Sequence, residues 1–266
     1  MTAVPKPAEP LLLRDDRGGV ATLTLNRPAQ RNALSVGLMA ALQAELDAIA
    51  GDKNVKVVVI AGAGPGFCGG HDLKEMRATP KRQAYEALFA QCSRLMLSIT
   101  RLPQPVIARV HAVAAAAGCQ LVATCDLAVA AESARFAVNG VNIGLFCSTP
   151  MVALTRAIGR KPAMEMLLTG DLIDARTALS YGLVNRVVPD SELDTAVAGL
   201  AATITAKSPY ALKVGKEAFY RQAELGLEQA YAYASEVMTA NMLARDAEAG
   251  IDAFLAKKPS PPWEGR

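Results

Sequence analysis

The sequence predicts a mixed α/β chain with most of its sheet in the first two thirds and a helical final third. Short apolar, β-branched runs at 20–25, 55–60, 105–110 and 127–130 are separated by segments with helical spacing, so strand and helix alternate. Two of those runs, 55–60 and 105–110, lead into stretches of very small residues rather than polar loops. From Pro150 onward the apolar spacing is helical throughout.

Residues 1–10 have no apolar signal core and no arginine-rich pattern, and read as a disordered lead. Leu11–Leu13 and Val20–Leu25 flank Gly18-Gly19 and read as a hairpin, ended by Asn26-Arg27-Pro28. Ser35 is placed to cap a helix running to about Ala50, with Leu38, Leu42, Leu46 and Ile49 on one face. Val55–Ile60 reads as a buried strand. Glycines 62, 64, 66, 69 and 70 follow it, and Asp72 can cap a short helical turn. Thr79-Pro80 supplies an N-cap and a first-turn proline for a helix to about Arg101, which Pro103 and Pro105 stop.

The strand 105–110 turns through Ala112–Ala117 into an apolar segment with helical spacing at Cys119, Leu121, Val122 and Cys125, and a strand follows at Leu127–Ala130. Helices are expected near 150–158, 161–168, 174–180 and 191–206, then after Ser208-Pro209, with two more reaching Leu255. The core therefore spans 11–200 and a C-terminal helical region 201–256, and the tail 257–266 should be loose.

At 266 residues the chain can form one large domain or two small ones. A net charge of +3 with 20% charged residues gives no field that argues for nucleic acid or an anionic membrane. The apolar run 106–131 is long enough to cross a bilayer, but Arg109, His111, Gln120 and Asp126 interrupt it, so it reads as core. Five cysteines without CxxC spacing fit a reduced compartment, and with no import signal a cytoplasmic location is expected. Two isolated histidines do not make a metal site. Gly62–Gly66 departs from the dinucleotide fingerprint, and no GxSxG is present.

The two small-residue corners carry the chemistry. A tight turn from strand into helix leaves the first helical N–H groups without internal partners, and the helix dipole makes them a site for negative charge. Two such corners, at 61–75 and 112–126, can each aim one N–H at the same atom. That arrangement is an oxyanion hole, worth roughly 2.7–4 kcal/mol per donor. The plainer reading is close packing of two elements.

Asn26-Arg27-Pro28, Asn32-Ala33-Leu34-Ser35, Phe67–Glu75, Ala117-Gly118-Cys119-Gln120 and Cys125–Ala130 follow in order, then Ile158-Gly159, Met166–Gly170 and Tyr181–Val184. The ordered set resembles the enoyl-CoA hydratase/isomerase (crotonase) superfamily over about residues 11–256. The stretches 70–75, 114–123 and 141–150 resemble one branch, the enoyl-CoA hydratase domain-containing protein 3 group.

The resemblance implies a spiral of ββα units with a C-terminal helical region, in homotrimers or dimers of trimers. It implies an acyl-CoA thioester as ligand, with coenzyme A part of the substrate and no other cofactor. The backbone N–H groups of His71 and Ala117 would hold the thioester oxygen. Cys68, Gly70, His71, Asp72, Leu73, Lys74, Ala117, Gly118, Asn139 and Arg27 would line the ligand, and Lys213 and Lys216 are further candidates for phosphate.

Hydratases of the family work with two glutamates, whose positions match Gln120 and Gly140 here. Glutamine orients water without taking its proton, and glycine offers no group. Acid–base groups contribute about 10²–10⁴ in rate, so hydration by that route should be weak or absent. Two other readings follow: a binder or regulator without turnover, or different thioester chemistry. Among substitutes, His71 can titrate near neutrality. Glu75 reads as solvated, and Cys119 reads either as core or as a thiol acidified by its helix N-terminus. Replacing both Gln120 and Gly140 by glutamate should restore hydration if the matching is right.

Overall fold

The structure, a computed structural model, describes residues 9–266; the first eight residues of the expected disordered lead lie outside the described residues. β1 (Leu12–Arg17) and β2 (Val20–Leu25) form the expected antiparallel hairpin. α1 (Val36–Ala50) starts at Ser35, whose hydroxyl accepts the Leu38 N–H, and buries Leu38, Leu42, Leu46 and Ile49 as the spacing predicted.

Three strand–strand–helix units come next. In each, the first strand joins a large sheet and the second a small one. The first unit is β3 (Val57–Gly62), β4 (Gly66–Cys68) and α2 (Leu73–Ala78), followed by the long α3 (Arg82–Arg101). The second is β5 (Val106–Val110), β6 (Val113–Ala115) and α4 (Ala117–Thr124). The third is β7 (Leu127–Ala131), β8 (Arg135–Ala137), a 3-10 turn at Asn139–Ile143 and α5 (Ser148–Ala157). α6 (Arg160–Thr169), β9 (Ile173–Asp174), α7 (Ala175–Tyr181), β10 (Arg186–Val188) and α8 (Leu193–Thr205) complete the core.

The large sheet runs β1-β2-β3-β5-β7-β10 and the small one β4-β6-β8-β9. β3 is covered on both faces. Val58 and Ile60 enter the main core, while Val57 and Val59 pack with Leu193, Val197 and Ala201 of α8. A strand buried on both faces reads as a continuous apolar run, as Val57–Ile60 does. The strands of the small sheet are two or three residues long and carry no period, so the sequence did not announce them.

Two boundaries differ from expectation. α3 starts at Arg82 with Lys81 as N-cap, because Thr79 already closes α2. The tail 257–266 has neither helix nor strand but is not loose. The Trp263 indole N–H donates to Ala206 O at 2.8 Å, and the Glu264 and Gly265 N–H groups donate to the Asp246 carboxylate at 2.7 and 3.1 Å. Asp246 is only 4% exposed, and a buried carboxylate draws such donors to itself.

The C-terminal helices are α9 (Pro209–Gln222, capped by Ser208 as expected), α10 (Leu227–Met242) and α11 (Arg245–Leu255). Lys216 fastens α9 to the core, donating to Ile99 O, Gln104 O and Asp126 at 2.9, 2.9 and 2.6 Å. Asp126 also accepts from Tyr220 and from the Val106 N–H. Lys216 thus has all three donors engaged inside the protein, which removes it from the candidates for phosphate.

Candidate functional site

The first corner is held from behind by Asn32, a fully buried side chain. Its carbonyl accepts the Arg27 N–H at 2.8 Å, and its amide donates to Ala63 O and Gly66 O, both at 2.8 Å. This pins the loop between β3 and β4. Leu34 then bridges the chain at His71, accepting the Asp72 N–H and donating to Gly70 O. In such a parallel bridge the bonds go to the residues on either side of His71, so its own N–H points away from Leu34. Gly70, with φ +95°, makes this reversal, and Asp72 caps α2 through the Lys74 and Glu75 N–H groups.

The second corner turns at Ala116, whose φ of 48° and ψ of −115° are strained for a residue with a Cβ. Its N–H is fixed on Ala137 O at 2.8 Å. The next residue, Ala117, is the first of α4, where no acceptor within the helix is available to its N–H.

The corners meet through backbone. A Cβ on Gly118 would lie 2.1 Å from Cys68 O, and one on Gly70 would lie 3.0 Å from the Ala116 Cβ and 3.4 Å from Ala117 N. The turn at Gly70, just before His71, therefore lies against the turn at Ala116 and Ala117. Neither the His71 N–H nor the Ala117 N–H finds an acceptor among the described residues.

At the two corners His71, Cys68 and Cys119 are neutral, while Asp72 is charged and paired with Arg27. Burial pulls the His71 pKa down to about 4, so the imidazole is uncharged near neutrality, contrary to the expected titration there. Its Nε2 is buried with no partner among the described residues. Burial pushes the Cys119 thiol up to about 12, which outweighs the helix N-terminus and makes it a core residue. Cys68 is likewise pushed up to about 12. For Asp72, burial opposes charge, but Arg27 and the Glu75 and Lys74 N–H groups outweigh it and hold the carboxyl below its usual range.

Gln120 is 4% exposed, with Oε1 3.9 Å from Cys92 Sγ. Gly140 is buried, and a Cβ there would lie 2.4 Å from Leu145 O and 2.9 Å from Cys147 Sγ. A glutamate at position 140 would therefore require the loop of Leu145 and Cys147 to shift. Glu75 is exposed, as expected, and its carboxylate accepts the Val36 N–H at 2.9 Å at the start of α1.

Cys68, Gly70, Leu73 and Gly118 lie at the corners, Lys74 and Lys213 are exposed, and Asn139 opens the 3-10 turn. Arg27 is engaged with Ala33 O at 2.6 Å and Asp72 at 2.9 Å. Sequence reasoning missed Ala116, since nothing in an alanine announces a positive φ. A cavity of about 1180 Å³ lies between α3, α4, α5 and α9; Gln120 lines it, whereas His71 and Ala117 do not.

Comparison with known proteins bears out the resemblance. The family model described as enoyl-CoA hydratase/isomerase matches residues 15–266. The human enoyl-CoA hydratase domain-containing protein 3, mitochondrial, is 45% identical over 92% of this chain and 80% of its own length. A crystal structure of an enoyl-CoA hydratase from Mycobacterium smegmatis superposes with a TM-score of 0.94 at 55% identity, over 96% of this chain and 99% of that one. The expected cytoplasmic location is overturned, because the human, Xenopus laevis and Rattus norvegicus relatives are all named as mitochondrial. That expectation rested on the lack of an import signal, and the lack of a signal does not fix a location. Corner geometry, strand–strand–helix repetition and comparison agree, and the chain belongs to the enoyl-CoA hydratase/isomerase family.

Proposed function

We propose that the protein binds an acyl-CoA thioester whose carbonyl oxygen is held by the His71 and Ala117 N–H groups, and that it hydrates enoyl thioesters weakly or not at all. One observation carries the reading: the two corners touch, with the space for a Gly70 Cβ 3.4 Å from Ala117 N, and leave both N–H groups without acceptors. A thioester oxygen gaining negative charge is a fitting acceptor for such a pair, and preformed donors need no rearrangement as charge develops.

The missing carboxylates support the second half. Gln120 cannot take a proton, Gly140 has no side chain, and Glu75 and Asp72 are committed as helix caps. This same observation favours a second reading, in which the protein binds acyl-CoA without turnover or performs thioester chemistry that relies on the N–H pair alone. Coenzyme A arrives with the substrate, and no other cofactor enters the scheme. Arg27, Lys74, Lys213 and the Asn139 turn are the proposed surroundings of the ligand. Exposed Leu227, Tyr231, Met238 and Phe254 on the last two helices support association of copies, as trimers or paired trimers.

The test uses one preparation for calorimetric binding of crotonyl-CoA and for loss of its enone absorbance. Binding with little turnover is expected. Rapid hydration would overturn the assignment of Gln120 and Gly140, and absence of binding would overturn the acyl-CoA reading.

A further inference from the structure

This inference rests on the acyl-CoA reading and concerns the acyl group. His71 and Gln120 come from different corners, yet both lean on α3. The His71 ring meets Phe89 edge-on, centroids 5.7 Å apart at 80°, and Gln120 Oε1 faces Cys92 Sγ at 3.9 Å. Phe89 and Cys92 are three residues apart on that helix and so share a face, and each of the two polar side chains packs against that face.

Each has an unused hydrogen-bonding group. His71 Nε2 is buried without a partner among the described residues, an unfavourable state unless something fills it. Gln120 turns its carbonyl to the Cys92 thiol, leaving its NH₂ group as a donor. Both groups are neutral, and the nearby carboxylates of Asp72 and Glu75 are held in helix caps.

We propose that His71 Nε2–H and the Gln120 amide form a neutral donor pair that holds an oxygen on the β carbon of the acyl chain, so that the site selects 3-oxoacyl thioesters. The two carbonyl oxygens of such a ligand are in 1,3 relation. One takes the backbone N–H pair and the other the side-chain pair. A ketone oxygen only accepts, which suits two donors. A carboxylate in its place would be a buried charge without a counter-ion, and a saturated chain would leave Nε2 orphaned. His71 acts here as a positioning residue and moves no proton.

The test measures calorimetric affinities of acetoacetyl-CoA and butyryl-CoA, which have the same carbon count, for the wild type, His71→Phe and His71→Gln. The wild type should prefer acetoacetyl-CoA by about tenfold or more, about one hydrogen bond's worth. In His71→Phe the ratio of the two affinities should fall to near one, whatever loss both ligands share. His71→Gln, which keeps a donor, should retain part of the preference; a fold defect alone would not move this ratio. Butyryl-CoA binding without any preference in the wild type, or a preference intact in His71→Phe, overturns this inference and leaves the acyl-CoA reading standing. Failure of both ligands to bind the wild type overturns that reading and this one with it.

Discussion

The Cβ that Gly118 lacks would stand 2.1 Å from the carbonyl oxygen of Cys68. No side chain fits there, so α4 approaches β4 backbone to backbone. That contact places Ala117 N beside the turn at Gly70 and His71. Gly118→Ala should therefore push the corners apart. The expected result is destabilisation of about 1–3 kcal/mol or more in denaturant titration, with loss of acyl-CoA binding. A variant with normal stability and binding would show that the contact is not required.

Ala116 sits at φ 48°, where glycine is comfortable and alanine is strained by about 1–3 kcal/mol. Ala116→Gly keeps the turn and relieves the strain, while its greater freedom when unfolded takes back about 0.5–1 kcal/mol. The midpoint of denaturation should rise modestly and ligand affinity should hold. A fall in stability would contradict the strain.

Gln120→Glu should be accommodated, whereas Gly140→Glu should not, because its Cβ alone would meet Leu145 O at 2.4 Å. With one carboxylate restored, crotonyl-CoA hydration should rise by about tenfold or more. The new carboxyl is buried, so its pKa lies above the ordinary range and the rate should climb with pH as it ionises. A flat, wild-type rate across pH would refute the positional match.

His71 should make stability depend on pH. Its folded pKa, about 4, lies below the ordinary histidine value, so the unfolded chain binds the extra proton first. The contribution is complete above about pH 6.5 and is lost as pH falls toward 4, at about 1.4 kcal/mol per pKa unit. Denaturant titrations of the wild type should weaken over that window, and those of His71→Phe should weaken less.

Lys216→Met leaves Asp126 buried without its cation, and should cost about 3–5 kcal/mol, freeing α9 from the core. Lys213→Met, on the exposed side of the same helix, should stay within about 0.5 kcal/mol. Equal effects on thermal unfolding would refute the distinction.

The sequence by itself determined the local grammar of the protein. Ser35, Asp72 and Ser208 cap helices where their hydroxyl or carboxyl precedes an apolar period, and Val57–Ile60 became a doubly buried strand. Those signals span a few neighbouring residues, so they are written in the chain. The ordered motifs carried the resemblance to the family for the same reason.

Tertiary structure alone decided what the marked residues do. Whether Cys119 is acidified or inert depends on burial by distant elements, and burial prevails. Glu75 caps a helix 39 positions away, Lys216 reaches a carboxylate 90 positions away, and the tail folds onto Asp246. Gly140 is closed by the loop of Leu145 and Cys147. Electrostatic and steric outcomes of this kind depend on distances through space, which no run of neighbouring residues specifies.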